Sequence, residues 1–269
     1  MRSIVHLSDL HFGRITERVI APLIEAITNI RPDVVAVSGD LTQRARARQF
    51  TQARAFLDRL PTPQIVVPGN HDVPLHNVAV RFLRPLRNYR RYITDDLRPF
   101  YHDAEIAVLG VNTARSLTIK EGRLNEEQVA WMSDCLSACD PGVVKIVVTH
   151  HPFDVPEGHD ERQMVGRARM AMEALARCGA DLFLAGHLHV SHTSHSATRY
   201  KITGHSALVV QAGTAASARG RGEANSFNAV RIDRAQIEVD RFEWQPERGE
   251  FHLVMSEPFR HTPEGWIPL

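Results

Sequence analysis

The stretch Pro68-Gly69-Asn70-His71-Asp72 follows the apolar run Ile65-Val66-Val67, so it is interpreted as a turn at the end of a buried strand. A glycine lets backbone and side chains crowd one point, and the next three residues offer an amide oxygen, an imidazole and a carboxylate. The pentapeptide is also compatible with a plain loop in which Asn70 and Asp72 cap the backbone. What favours a metal site is that four other predicted strand ends carry His or Asp.

These four strands are predicted at residues 4–8, 33–38, 143–148 and 181–185. The side chains that follow them are Asp9 and His11, Asp40, His150 and His151, and His187 and His189. Catalytic groups of open α/β sheets commonly lie just past the carboxyl ends of the strands. We therefore expect these residues to converge, together with the Asn70 turn, on one site.

Three of the strand ends allow finer predictions. Asp40 carries two carboxylate oxygens, which can bridge two cations. Of His150 and His151, one is predicted to be a ligand and the other a packing residue, because neighbours in an extended chain point in opposite directions. His187 and His189 would point the same way in an extended segment, so two imidazoles could enter one site.

Helices alternate with these strands, which is typical of an α/β protein. Apolar residues recur at helical spacing over residues 16–30, 50–60, 125–136 and 162–178. After Thr193 the helical signal vanishes, and strands are predicted at 208–210, 227–232, 237–242 and 251–254. Residues 193–269 are thus expected to be mainly strands of a second sheet, within a single domain of residues 1–269. The stretch 219–223 is interpreted as a flexible charged loop.

Composition limits the classes of function. The 32 basic and 31 acidic residues leave a formal net charge of +1, which gives no general attraction to nucleic acid or to an anionic membrane. No apolar run approaches the ~20 residues of a membrane span, and the chain begins with a strand pattern rather than a signal sequence. Three cysteines without metal-type spacing predict reduced thiols. We expect a soluble, cytoplasmic protein without disulfides, and the sequence leaves a homodimer open.

Residues 76–98 interrupt the alternation with six arginines set among apolar residues, and Pro85 is expected to break any single helix. The arginines are Arg81, Arg84, Arg87, Arg90, Arg91 and Arg98. Their spacing is typical of a solvated face on a helical insertion. The alternative is a cap that contacts an anionic substrate, because the insertion directly follows the Asn70 turn.

The chain resembles the calcineurin-like metallophosphoesterases in the order and context of five blocks. These blocks are Asp9-x-His11, Gly39-Asp40, Gly69-Asn70-His71-Asp72, His150 and Gly186-His187-x-His189. Within that family, the chain looks closest to the class III cyclic nucleotide phosphodiesterases of bacteria. The resemblance implies a four-layer α/β/β/α sandwich of two mixed sheets flanked by helices, which agrees with the two sheets predicted from the sequence pattern.

The resemblance also implies a dinuclear metal centre. It assigns Asp9, His11, Asp40 and His189 to one cation and Asp40, Asn70, His150 and His187 to the other, with Asp40 as the bridge. Such mixed ligands suit Mn, Fe, Zn or Co better than Mg or Ca. A hydroxide held between the two cations would attack phosphorus in line, and His71 would protonate the leaving alkoxide. Asp72 is a candidate to orient His71.

The function implied by the resemblance is hydrolysis of small-molecule phosphodiesters such as 3',5'-cyclic AMP. Alternatives within the same superfamily are a hydrolase of lipid-linked (UDP-sugar) pyrophosphates and a nucleic-acid exonuclease. The near-neutral net charge counts against the nuclease. A non-catalytic binding scaffold is a remote alternative, because this fold can lose its metal ligands, yet every matching ligand is present in this chain.

Overall fold

The computed structural model describes residues 1–75, 77–218 and 222–269. Its strands are β1 Arg2–Leu7, β2 Val34–Ser38, β3 Gln64–Val67, β4 Phe100–His102, β5 Ile106–Gly110, β6 Val144–Val148, β7 Ala180–Ala185, β8 His192–His195, β9 Leu208–Gln211, β10 Ser226–Ile232, β11 Gln236–Gln245, β12 Glu250–Thr262 and β13 Gly265–Pro268. Its helices are α1 Glu17–Ile30, α2 Ala47–Leu57, α3 Val78–Leu83, α4 Arg87–Tyr92, α5 Glu126–Ser137, α6 Ala168–Arg177 and α7 Ser196–Tyr200. Two predictions fall partly outside the described residues, namely the start of the insertion at His76 and the charged loop at 219–221.

The strands form two mixed sheets. The first has the order β13-β12-β11-β10-β1-β2-β3, in which β1, β2 and β3 run parallel and the other pairs are antiparallel. The second has the order β4-β5-β6-β7-β9-β8, with a parallel centre and antiparallel edge strands. Parallel neighbours place their carboxyl ends at one edge of a sheet, so the polar residues that follow β1, β2 and β3 are neighbours, as are those that follow β6 and β7.

Alternate residues of the central strands are buried on opposite faces, and this produces four layers. In β2, Val34 and Ala36 lie in the apolar interface between the two sheets, whereas Val35 and Val37 pack against α1 and α2. In the second sheet, Val147 packs into the core beneath α5 and α6. Strands covered on both faces read as continuous apolar runs, which is why they were recognisable from the sequence. The predicted α/β/β/α sandwich is confirmed.

The C-terminal strands join the sheets in a way that differs from the prediction. Because β10 pairs antiparallel with β1, the strands β10 to β13 extend the first sheet. Strand β9 pairs parallel with β7 and carries β8 at its other side, so these two belong to the second sheet. The prediction that residues 193–269 mainly build the second sheet is therefore wrong. Apolar alternation identifies a strand but carries no information about its partner.

Short elements also departed from the prediction. The five-residue helix α7 contradicts the expected absence of helix after Thr193, since five residues do not establish a helical period. The strands β4, β8 and β13 were also missed; β4 and β8 contain no buried residue, so they lack the apolar run that identified the other strands. Helix α6 begins at Ala168 instead of residue 162, where the chain forms the short 3₁₀ turn Glu161–Gln163.

Two local predictions are confirmed, namely the start of α5 and the break at Pro85. Asn125 caps α5, because its Oδ1 accepts the Gln128 N–H at 2.8 Å while Gln128 Oε1 accepts the Asn125 N–H at 3.1 Å. Pro85 separates α3 from α4, so the insertion consists of two short helices. The cysteines at 135, 139 and 178 are free thiols. Within the described ranges, no helix is both long and apolar enough to cross a lipid bilayer.

Candidate metal centre

The structure brings the seven predicted metal ligands together where the strands of both sheets end. The first sheet supplies Asp9 and His11 after β1, Asp40 after β2 and Asn70 after β3, and the second sheet supplies His150 after β6 and His187 and His189 after β7. Each side chain lies within hydrogen-bonding or ion-pair distance of at least one other member of the set. The candidate site is therefore the side of the sandwich where the carboxyl ends of these strands meet.

The backbone adopts an unusual conformation at these positions. Five of the seven residues have a positive φ, namely Asp9 at 53°, His11 at 52°, Asp40 at 54°, His187 at 75° and His189 at 62°. Asp and His tolerate the left-handed region better than most residues, at a cost of about 1–3 kcal/mol each. Strain concentrated in one place is typical of a functional site, because the surrounding fold must hold it there.

The first of two side-chain clusters consists of Asp9, His11, Asp40 and His189, all buried, with one ligand atom from each within 4.8 Å of the others. His11 Nε2 and His189 Nε2 lie 3.1 Å apart. Asp9 Oδ1 lies 3.1 Å from His189 Nε2 and 3.5 Å from His11 Nε2. His11 Nε2, His189 Nε2 and Asp9 Oδ1, which all carry lone pairs, are thus close enough together to bind one cation.

The second cluster lies on the other side of Asp40. Asn70 Oδ1 is 3.1 Å from both His150 Nε2 and His187 Nδ1. Asp40 Oδ1 is 3.4 Å from His150 Nε2, whereas Asp40 Oδ2 is 3.7 Å from His11 Nε2 in the first cluster. The two oxygens of one carboxylate therefore face two different clusters, which is the arrangement expected of a bridging ligand.

The chain turns between His187 and His189, so the predicted geometry of this pair is wrong. Both residues have a positive φ and the segment is not extended. Consequently His187 reaches Asn70 in the second cluster, while His189 reaches Asp9 in the first. The two imidazoles enter separate clusters, which is the distribution that the family resemblance implied.

His151 is adjacent to the second cluster, with its ring centre 4.6 Å from that of His187. Its Nε2 donates a hydrogen bond to the Lys120 carbonyl oxygen at 2.8 Å, and its Nδ1 accepts one from the Thr113 hydroxyl at 2.7 Å. Because both nitrogens are engaged, neither is available to a cation. Of the pair His150 and His151, His151 is therefore the packing residue.

His71 lies beside the first cluster and is partly exposed, with its ring centre 4.9 Å from that of His11. Its backbone N–H donates to Asp40 Oδ1 at 2.8 Å, and its Nδ1 donates to the Gln43 carbonyl oxygen at 2.9 Å. The second of these bonds fixes the ring orientation and leaves Nε2 as the nitrogen on the opposite side. The contact with Gln43 was not predicted, although Gln43 lies only three residues after Asp40 in the same loop.

Asp72 does not have the predicted role. Its carboxylate accepts hydrogen bonds from the backbone N–H groups of Leu41, Thr42 and Gly69 and from the Thr42 hydroxyl, at 2.9–3.1 Å. Burial, followed by the charge of Asp40, raises the pKa of Asp72 to about 6, although these hydrogen bonds oppose the rise. Asp72 therefore joins the turn to the loop after β2, and the Gln43 carbonyl orients the His71 ring.

Burial and neighbouring charges set the protonation states of the site. Burial disfavours charge on Asp9 and Asp40, but adjacent histidines, led by His189 for Asp9 and His150 for Asp40, outweigh it and lower the pKa of both carboxyls. Burial, with the charge of His150 second, lowers the pKa of His187 to about 3. Charged carboxylates and a neutral imidazole are the forms that bind metal ions.

The residues present fit a pair of transition-metal ions. Asp9 Oδ1 is buried and is faced by two imidazole nitrogens, His189 Nε2 at 3.1 Å and His11 Nε2 at 3.5 Å. A buried carboxylate is costly unless hydrogen bonds or a cation complete its surroundings, and a cation between these three atoms would accept a lone pair from each. The mixture of nitrogen and oxygen donors suits Mn, Fe, Zn or Co.

Gly186 makes the close packing of the first cluster possible. A Cβ atom at this position would lie 1.7 Å from Ser8 Oγ and 2.6 Å from Asp9 Oδ2. Ser8 Oγ donates to Asp9 Oδ2 at 2.6 Å, and the His187 N–H donates to the same oxygen at 2.9 Å. These bonds leave Asp9 Oδ1 directed at the histidines, so any displacement of Ser8 disturbs a ligand.

Gly186→Ala is expected to lower the free energy of unfolding by about 1–3 kcal/mol and to weaken metal binding about 10–100-fold, since it overpacks the shell that orients Asp9. Urea denaturation and metal titration of the purified variant measure the two effects. Gly158→Ala is the control for metal affinity, because no atom lies within 4 Å of its added Cβ; its φ of +83° means that it also costs stability, so the unfolding free energy is compared with the wild type alone. Equal metal affinity in the two variants would contradict the proposed role of Gly186.

Fold and site together define the class of α/β sandwiches that hold a dinuclear metal centre. The profile of the Calcineurin-like phosphoesterase family matches residues 2–191, so the chain belongs to the calcineurin-like phosphoesterase family.

Two curated proteins are similar to part of the chain. The chain is 27% identical over 161 residues to glycerophosphodiester phosphodiesterase GpdQ of Enterobacter lignolyticus, covering 56% of this chain and 57% of that protein. It is 23% identical over 159 residues to a "Probable cyclic nucleotide phosphodiesterase" of Synechococcus sp., covering 56% and 58%. The matches thus span little more than half the length of these relatives.

Solved structures share the fold. A dimetal phosphatase from Danio rerio superposes with a TM-score of 0.65 at 13% identity, covering 94% of this chain and 98% of that one. A purple acid phosphatase from yellow lupin seeds gives a TM-score of 0.63 at 12% identity, covering 95% of this chain and 53% of that one. At these identities the similarity supports the fold alone.

Proposed function

We propose that this chain is a metal-dependent phosphodiesterase that hydrolyses small-molecule phosphodiesters. The observation that carries the proposal is the position of Asp40, whose two carboxylate oxygens face two adjoining clusters of buried ligands. Two-metal sites of this kind serve in-line displacement at phosphorus. We further propose that residues 1–269 act as one domain, because the two sheets share a single apolar interface.

Each cation would have four ligands. One would be held by Asp9, His11, Asp40 and His189, and the other by Asp40, Asn70, His150 and His187. When bound, such ions supply Lewis acidity and lower the pKa of water to about 7. The chain itself contributes by fixing the direction of the ligands through strained backbone and through hydrogen bonds such as that from Ser8 to Asp9.

His71 would act as the general acid. Its Nδ1–H is held by the Gln43 carbonyl oxygen, so the proton given to the leaving alkoxide would come from Nε2. The ring is partly exposed and contacts the edge of the first cluster, which places it at the boundary between the metal ligands and solvent. A general acid in this position can reach a leaving group without acting as a ligand.

For the substrate, we propose linear phosphodiesters of the glycerophosphodiester type, with 3',5'-cyclic AMP as the second candidate. Support for the first comes from two relatives named as glycerophosphodiester phosphodiesterases, each 27% identical to this chain. Support for the second comes from the Synechococcus relative, which is named as a probable cyclic nucleotide phosphodiesterase. The sequence motifs of this chain resemble those of cyclic nucleotide phosphodiesterases as well.

The test is a hydrolysis panel with protein loaded separately with Mn, Fe, Zn or Co. The substrates are bis(p-nitrophenyl) phosphate, glycerophosphocholine, 3',5'-cyclic AMP and p-nitrophenyl phosphate, and the metal-free protein is the blank. We expect turnover of diesters well above that of the monoester. A protein that hydrolyses no diester with any of the four metals would contradict the proposal.

A further inference from the structure

A cleft of about 640 Å³ lies between the insertion and the loop that follows β5. Its lining includes the apolar residues Val73, Leu86 and Ala114, all buried in the core beneath α2. Apolar clefts of this size accommodate small-molecule ligands when a few polar groups converge on them. The cleft is therefore a candidate binding site. We call it the arginine cleft, after the arginines in its lining.

The charged lining of the arginine cleft is strongly unbalanced. It consists of Arg84, Arg87, Arg90, Arg91 and Arg115, with Asp95 as the one acidic residue. Arg90 Nη1 lies 4.0 Å from Asp95, at the limit of an ion pair. Among the described residues, Arg84, Arg87 and Arg91 form no ion pair with an acidic side chain. Guanidinium groups that line a concave surface without counterions attract anions.

The other two arginines of the insertion, Arg81 and Arg98, have different contacts from the arginines of the cleft. Arg81 is buried and donates to the carbonyl oxygens of Ser116 at 2.7 Å and Pro74 at 3.1 Å, so it fastens α3 to the loop after β5. Arg98 pairs with Glu127 at 2.6 Å. Buried Arg81 therefore fits neither sequence hypothesis, and exposed Arg98 fits the solvated face.

The described lining of the arginine cleft includes none of the seven predicted metal ligands, but it contains chain neighbours of residues at the metal centre. Val73 follows His71 by two residues and continues the same turn. On the opposite wall, Asn112 and Ala114 flank Thr113, whose hydroxyl donates to His151 beside the second cluster. A substrate whose phosphodiester lies at the metal centre would reach the cleft by extending past these neighbouring residues.

We propose that the arginine cleft is a phosphate subsite, and that the preferred substrate is a phosphodiester bearing a second phosphate group on an apolar body. This inference rests on the proposed phosphodiesterase function and specifies its substrate class. Guanidinium groups bind phosphate through paired hydrogen bonds, and the apolar floor favours the body that links the two phosphates. The same positive charge disfavours diesters with a cationic group such as choline.

The experiment compares the dinucleotides TpT and pTpT, which share one phosphodiester and differ by a terminal 5'-phosphate. In the wild-type enzyme, KM for pTpT is expected to be about tenfold lower than KM for TpT, with similar kcat. Two partly exposed ion pairs between the terminal phosphate and the cleft arginines stabilise binding by about that factor. In Arg87→Ala/Arg91→Ala the two KM values should become equal. Both arginines are exposed on α4, so the fold is expected to survive.

Arg98→Ala is the matched control, because it removes an arginine of the same insertion that does not line the cleft. It is expected to keep the wild-type ratio of KM values. A double variant that keeps the wild-type ratio, or a control that loses it, overturns the proposal.

Binding to the chelator-treated chain of residues 1–269 separates this inference from the proposed function. Calorimetry is expected to show pTpT binding about tenfold more tightly than TpT, and the double variant losing that difference. Equal affinities in the wild type overturn the arginine cleft as a phosphate subsite even if both dinucleotides are hydrolysed. If the difference in affinity is present but no diester is hydrolysed, the phosphodiesterase function fails and the subsite stands.

Discussion

Asp40→Asn is expected to remove both metal ions and to lower kcat/KM for a phosphodiester about 10³-fold or more, since metal ions supply several kcal/mol of transition-state stabilisation. Among the described residues, Asp40 is the one whose carboxylate oxygens face both clusters. Asparagine suits the test because it tolerates the positive φ of 54° and keeps an oxygen for the His71 N–H. Elemental analysis of the purified variant measures the metals, and circular dichroism measures the fold.

The control for this variant is Asp33→Asn, a partly buried aspartate that lies beside Ser3, away from the site. It is expected to keep both metals and full activity. If Asp40→Asn retained two metal ions per chain, the assignment of Asp40 as the bridge would be wrong, whatever the effect on turnover.

His71→Ala is expected to keep its metals and to lose about 10²–10⁴-fold in kcat on an alkyl phosphodiester, the usual contribution of a general acid. On a p-nitrophenyl diester the loss should be below about tenfold, because the leaving phenolate needs little protonation. The difference between the two substrates is the measurement that matters. It distinguishes proton donation from any general damage to the site.

His102→Ala, at an exposed position in β4, controls for the removal of a histidine. It should leave both rates unchanged. Equal losses on the two substrates in His71→Ala would remove His71 from the acid role, and loss of metal ions from that variant would make it a ligand instead.

Much of the fold was predictable because its central strands are covered on both faces. Strand β2 is buried at every residue, and a continuous apolar run of that length ending at a polar residue has few other interpretations. The helices with a clear apolar period were found for the same reason. Sheet membership was not predictable, since the pairing of β10 with β1 joins residues more than 200 positions apart.

The composition of the site followed from the strand ends, but its geometry did not. The sequence indicated that His187 and His189 belong to the site, yet only the backbone shows that each faces a different cluster. The role of Gln43 depends on its carbonyl oxygen, which every residue possesses, so no side-chain pattern could have identified it. Likewise, the six arginines of the insertion look alike in the sequence, and only tertiary contacts separate Arg81 from the rest.

The division of ligands between the two sheets has a consequence for assembly of the protein. Each cluster takes residues from both sheets, and Asp9 and His189, which meet in the first, are separated by most of the matched domain. Closing a loop of that length is entropically unfavourable, so neither cluster can exist before the sheets have docked. Ions held by both clusters would therefore bind after the sheets have docked. They would then crosslink the two sheets, so separating the sheets would break ligand bonds to both ions.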